Sequence, residues 1–139
     1  MIVLDTNVLS ELMRLEPHPH VTEWMDAQTP ASLFTTTVTQ AEIMFGVCVL
    51  PEGKRRRDLD EAVSALFRQD LKDRILPFDS PAAAEFAEIA AHRRRGGAPI
   101  SQFDAQIAAI ARSRGAALAT RNVSDFRECG VHVIDPWSP

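Results

Sequence analysis

Carboxylates are the groups in this chain best suited to chemistry. Asp5 ends the apolar run Ile2-Val3-Leu4, and Thr6 and Asn7 follow at once. A charge at the end of a buried run is costly unless it is solvated, paired or bound to a cation. Glu42 closes Thr39-Gln40-Ala41-Glu42, Asp104 closes Ser101-Gln102-Phe103-Asp104, and Asp125 follows Asn122 in Asn122-Val123-Ser124-Asp125-Phe126. Each acid also has an ordinary local explanation. Asp5 can end a strand or cap a helix. Thr39 and Glu42 match the reciprocal T-x-x-E capping pattern. Asp104 suits the first turn of a helix, where the dipole favours an anion, and Asp125 can cap a helical turn. If the acids meet in space, protonation or a cation must relieve their repulsion. Hard oxygen donors suit Mg²⁺ or Mn²⁺ rather than zinc. Such a centre fits phosphodiester hydrolysis, because a bound cation acidifies water and neutralises the phosphate in the transition state.

Other chemistries lack their signatures. The chain has no GxxxxGK[ST] or GxGxxG phosphate loop, no HExxH and no GxSxG. His18, His20, His92 and His132 show no metal-ligand spacing, and His18-Pro19-His20 reads as a loop. Cys48 and Cys129 form no CxxC pair, so neither a zinc site nor a disulfide framework is expected, and a reducing cytoplasm is the expected setting.

The elements that must position these acids follow from periodicity and breakers. Residues 1–5 read as a strand buried on both faces, since the apolar run does not alternate. Helices are expected at 7–14, 21–28, 40–49, 54–72, 80–95 and 101–114, and strands at 32–38, 74–79, 116–120 and 131–135. Pro77 suggests that the third strand lies at an edge or exits early, and Ser80-Pro81 reads as a helix start. Alternating strands and helices predict an α/β fold with a mainly parallel sheet. Such sheets keep ligands at the carboxyl ends of strands, which is where Asp5 would stand.

At 139 residues the chain is expected to be a single domain, 1–139, with no signal peptide and no membrane span. Its net charge of −4 equals the contribution of the four singled-out acids. Lys54-Arg55-Arg56-Arg57 and Arg93-Arg94-Arg95 hold seven of the 15 basic residues. They read either as solvated helix ends or as patches free to meet an RNA backbone.

Taken together, MIVLDTNVLSEL, TQAEIMFGV, SQFDAQIAAIA and LATRNVSDF resemble a PIN domain, and more closely the VapC-type and FitB-type toxins of bacterial toxin–antitoxin modules. The resemblance spans the chain from Met1 to the terminal Asp135-Pro136-Trp137. It implies a five-stranded, mainly parallel sheet flanked by helices on both faces, and a Mg²⁺- or Mn²⁺-dependent endoribonuclease. Asp5, Glu42 and Asp104 match the family's acidic positions. Some members carry a fourth acid where this chain has Asn122, and others use the acid of N-x-x-D-F, so Asp125 takes that role here. Asp5 and Asp104 would hold one ion firmly, with any second ion weaker. Thr6, Asn7, Thr120 and Asn122 would orient the carboxylates, and Arg121 would steady the site or touch a phosphate. The resemblance also implies a small antitoxin with a DNA-binding domain and a homodimer, which the apolar helix faces at Trp24, Met25, Met44 and Phe45 could serve, although core packing is the more ordinary reading of these four.

Two other classes compete. A covalent aspartyl phosphotransfer domain wants a second Asp at position 7, or a late-strand lysine, and the chain has Asn7 and only Lys54 and Lys72. A degenerate PIN-fold binding module, acting through its antitoxin alone, is kept open by neutral Asn122.

Overall fold

The computed structural model describes residues 1–138. Its strands are β1 (Ile2–Leu4), β2 (Leu33–Thr36), β3 (Ile75–Leu76), β4 (Ala117–Ala119) and β5 (Val133–Ile134). Its α-helices are α1 (Thr6–Leu12), α2 (Pro19–Asp26), α3 (Thr37–Cys48), α4 (Lys54–Ala65), α5 (Ser80–Arg95) and α6 (Gln102–Ser113). The strands form one sheet in the order β3-β2-β1-β4-β5, parallel throughout. The order runs outward from β1 in both directions, so the topological switch lies between β1 and β4. Their register pairs Ile2 with Ala117, Val3 with Leu118 and Leu4 with Ala119. Asp5 and Thr120 therefore leave the carboxyl edge side by side.

The unbroken apolar character of β1 reflects a sheet covered on both faces. Val3 and Leu118 join a layer with Ile89 of α5 and Ile107 and Ile110 of α6. Their neighbours Leu4 and Ala119 join the opposite layer with Val8 and Leu9 of α1, Ile43 of α3 and Val63 of α4. Burying each of the larger side chains contributes roughly 1.5–3 kcal/mol, so the edge that carries the site is rigidly supported. Among the described residues, no helix is long and apolar enough to cross a membrane.

Several boundaries differ from the sequence expectation. Helix α3 begins at Thr37, because Thr36 is its cap: Thr36 Oγ1 accepts the Thr39 N–H at 3.0 Å. Thr39 and Glu42 therefore do not form the capping box that their spacing suggests. Helix α5 is capped by Asp79, whose Oδ1 accepts the Ala82 N–H at 3.1 Å, rather than by Ser80. The helix expected over 54–72 stops at Ala65 and continues as a wide turn, Leu66–Asp70, in which the Leu71 N–H reaches back to the Leu66 carbonyl. Asp73, at φ 63°, then turns the chain into β3. That strand is shorter than expected but does lie at the sheet edge.

Candidate active site

Asp5 serves two purposes. It caps α1, with Oδ1 accepting the Thr6 N–H at 2.8 Å, and it presents a buried carboxylate to the switch point. Its Oδ2 accepts the Thr120 hydroxyl at 2.8 Å. Thr120 is fully buried, and its oxygen in turn accepts Asn7 Nδ2 and the Asn122 N–H, each at 3.1 Å. The Asn7 side chain also bridges outward, accepting the Arg121 N–H at 3.1 Å. Thr120 and Asn7 thus fix one oxygen of Asp5 from β4 and from α1. Asn122 takes part through its backbone.

Glu42 stands on α3, and its Oε1 accepts the Thr6 hydroxyl at 3.0 Å. The Thr39 hydroxyl lies 3.1 Å from the same Thr6 oxygen. This long-range contact replaces the local cap expected for Glu42, and it ties α3 to the start of α1. Asp104 is in the first turn of α6, as expected, and the Ser101 Oγ accepts its N–H at 3.2 Å. Asp125 lies in a short 3-10 turn, Val123–Phe126, with an exposed side chain.

The electrostatics show which acids share a field. Burial pushes the Asp5 acid up to about 6, against the hydrogen bonds from Thr120 and Thr6, and the charges of Asp104 and Glu42 push the same way. Glu42 is raised by burial and by Asp104, and is held back by Thr6. Asp104 is raised by burial and by the charge of Asp125, and is held back by Ser101 and Arg93. The charge of Asp104 thus reaches Asp5 and Glu42, that of Glu42 reaches Asp5, and that of Asp125 reaches Asp104, so the tertiary structure brings the four acids into one neighbourhood.

Among the described residues, no three His, Cys, Asp or Glu side chains stand close enough to chelate a common ion as they are. The donor set still suits a hydrated hard cation, since Mg²⁺ retains several waters and takes only one or two carboxylates directly. All three acids are held above their ordinary values first by burial and then by neighbouring carboxylate charge, and a divalent cation at the site would relieve both.

One group of residues departs from expectation, and one follows its more ordinary reading. Arg93 is not part of a free basic patch. It is buried, with Nε donating to the Ala98 carbonyl at 2.7 Å and Nη1 to the carbonyls of Asp125 at 2.8 Å and Arg127 at 3.0 Å. Only Arg94 and Arg95 of that run are exposed. Trp24 and Met25 pack against the core beside α1, leaving Met44 and Phe45 as the exposed members of the candidate dimer contacts. Sequence reasoning missed the role of Arg93, because a triple-arginine helix end has the same appearance whether it is solvated or folded under a loop.

Comparison with known proteins accords with this architecture. The PIN domain family model matches residues 2–130. The chain is 41% identical to the plasmid stability protein StbB of Pseudomonas syringae pv. tomato over 137 residues, 99% of each chain. It is 40% identical to the VapC ribonuclease Y4jK of Sinorhizobium fredii over 139 residues, 100% of this chain and 99% of that one. The crystal structure of FitAcB from Neisseria gonorrhoeae superposes with a TM-score of 0.94 at 36% identity, covering 100% of both chains. A FitAB complex bound to a DNA fragment gives the same TM-score, covering 100% of this chain and 97% of that one. With this sheet order, this acid cluster and these full-length similarities, the chain belongs to the PIN-domain family, in its VapC- and FitB-type branch.

Proposed function

We propose that this protein is a Mg²⁺- or Mn²⁺-dependent endoribonuclease and the toxin of a type II toxin–antitoxin module. The observation that carries the reading is the convergence of Asp5, Glu42 and Asp104 from three elements at the topological switch point, each acid raised by burial, with Asp104 acting on both of the others and Asp125 acting on Asp104. Full-length similarity to a protein named VapC ribonuclease supports the reaction class.

Asp5 and Asp104 are the residues that would hold the ion. When bound, the ion supplies acidification of water and neutralisation of phosphate charge. Glu42, with Oε1 fixed by Thr6, offers its other oxygen as acceptor for the proton of the attacking water. Its raised basicity suits that task. Asp125 helps to orient the same water from the Asp104 side. Thr120 and Asn7 keep Asp5 in one rotamer, the kind of outer support that metal carboxylates require. No side-chain nucleophile is needed: water attacks the phosphorus in line, the opposite P–O ester bond breaks, and the leaving ribose oxygen takes up a proton from solvent.

A groove between α1, α3 and α4 is lined by Ile43, Val47 and Val63 together with Glu42 and the exposed Arg14 and Arg55. The two arginines offer cations to a phosphodiester backbone that reaches Glu42. The antitoxin is expected to carry a DNA-binding domain, in keeping with the DNA-bound FitAB complex. Homodimerisation would use the exposed apolar surface of Phe45, Phe78 and Phe103 rather than Trp24 and Met25. The site of action is the cytoplasm, where RNA and antitoxin meet.

The test is cleavage of a mixed structured RNA pool by wild type and Asp5→Asn, each with Mg²⁺, with Mn²⁺ and with chelator. Metal-dependent fragments lost in Asp5→Asn are expected. A folded, antitoxin-free wild type that neither cleaves nor binds divalent ions would replace this reading with the binding module that Asn122 keeps open.

A further inference from the structure

The carboxyl-terminal segment is fastened to the site by contacts that the proposed reaction does not use. Trp137 is half-buried, and its backbone N–H donates to Asp135 Oδ1 at 2.9 Å. Its indole Nε1–H is directed at Glu11 Oε1, 3.4 Å away, and its carbonyl lies 2.9 Å from His20 Nδ1. Glu11 is a buried carboxylate of α1, and its other oxygen meets Arg14 Nη1 at 3.2 Å. Trp137 is thereby tied to α1 through its indole and to α2 through its carbonyl.

Arg121 rests on that indole, with its guanidinium carbon 5.3 Å from the ring centroid. The backbone of Arg121 is anchored to Asn7, which also contacts Thr120 and Asp5. The side chain is exposed, and none of the ion pairs among the described residues includes it. A guanidinium that stacks on an aromatic face keeps its planar fork of N–H donors free for another acceptor, and that fork matches a phosphate. Arg121 is therefore rooted one residue from Thr120, beside an acidic centre that by itself repels RNA, and its guanidinium over Trp137 is a cation that none of those ion pairs engages.

We propose that Arg121 binds a backbone phosphate of the RNA strand next to the scissile bond, and that Trp137 is the positioning residue that aims it. The inference rests on the ribonuclease reading, since it requires an RNA strand to cross the carboxylates. The phosphate contact offsets the repulsion that the acids impose on that strand. Trp137 acts only through Arg121, with Glu11 meeting the indole and His20 holding the backbone carbonyl.

The experiment measures binding of a labelled single-stranded RNA of mixed sequence to the Asp5→Asn chain across a salt series, at a temperature well below every variant's melting point. Adding Arg121→Gln is expected to weaken binding about tenfold and to reduce the magnitude of the log–log salt slope by about 0.7, the value for one phosphate contact on a single strand. Adding Trp137→Leu is expected to cause part of the same slope loss, and Trp137→Phe, which retains a ring, to restore it. Arg68→Gln removes an equal charge from the turn before β3 and is expected to leave the slope unchanged. In chains that retain Asp5, Arg121→Gln is expected to raise KM more than it lowers kcat. An unchanged slope in Arg121→Gln, or an equal loss in Arg68→Gln, overturns the phosphate contact while leaving the ribonuclease reading intact. An unchanged slope in Trp137→Leu overturns the positioning role. Absence of both RNA binding and cleavage overturns the ribonuclease reading and this inference with it.

Discussion

The Thr120 hydroxyl donates to Asp5 Oδ2 at 2.8 Å, joining residues 115 positions apart across the β1–β4 seam. Leu4 and Ala119 are register partners, so the next residue of each strand emerges at the same edge. Because Thr120 also accepts from Asn7 and Asn122, one buried hydroxyl organises the carboxylate, the start of α1 and the segment after β4. It is the contact through which the sheet controls the acid.

Thr120→Val keeps the shape and removes that hydroxyl. Asn7 Nδ2 and the Asn122 N–H lose an acceptor, and Asp5 loses its strongest restraint on protonation. Loss of stability by about 1–3 kcal/mol is expected from the unsatisfied groups, together with a fall of about 10–100-fold in metal affinity or cleavage. Chemical denaturation and Mn²⁺ titration measure the two effects separately. Wild-type metal affinity in a folded Thr120→Val chain would refute the orienting role.

Asp5 is a stability liability at neutral pH. Its acid lies at about 6 in the fold against 3.8 for the free side chain, so the folded state binds the proton more tightly than the unfolded state. Stability is therefore lost as pH rises from about 4 through about 6, and the full cost, of order 2–3 kcal/mol, is present above that window. Asp5→Asn is expected to be more stable than wild type at pH 8, with the difference fading by pH 4. Urea unfolding at both pH values checks the sign. A destabilised Asp5→Asn at pH 8 would contradict it.

A divalent cation should reverse that liability. Saturating Mn²⁺ at about 100 times its dissociation constant is expected to stabilise the wild type by about 2.7 kcal/mol. Chelator should remove the gain, and Asp5→Asn should show little of it. Melting curves with and without metal, read against isothermal titration, test this independently of any RNA.

Arg93 holds the segment that carries Asp125, through carbonyls on both sides of a bend. Arg93→Met leaves the carbonyls of Ala98, Asp125 and Arg127 without their buried donor. A loss of about 3 kcal/mol is expected, with faster hydrogen exchange concentrated over residues 123–129. Arg94→Met, on the exposed side of the same run, is expected to change stability by less than about 0.5 kcal/mol.

Local signals were legible without the structure because they act within one turn or one strand. The unbroken Ile2-Val3-Leu4 run announced a sheet covered on both faces, and Pro77 announced an edge or an early exit, with β3 both at the edge and ended at Leu76. Ser101 announced the cap that sets Asp104 in the first turn of α6. Where two caps competed within a few residues, local signals misled. Thr39 resembles the cap of α3, yet β2 ends at Thr36, so Thr36 caps and Thr39 turns to Thr6.

The residue types alone determined that this chain holds acids suited to a hard cation, on an α/β framework that exposes strand ends. Only the tertiary structure decided which acids share a field, since that depends on strand order and register. Parallel pairing of β1 with both β2 and β4 places Asp5 between Glu42 and the segment carrying Asp125, and α6 brings Asp104 across to meet them. The same long-range packing buried Arg93 under a loop and laid Trp137 beneath Arg121. No local rule distinguishes those two residues from solvated ones, because their environments are made by segments distant in the chain.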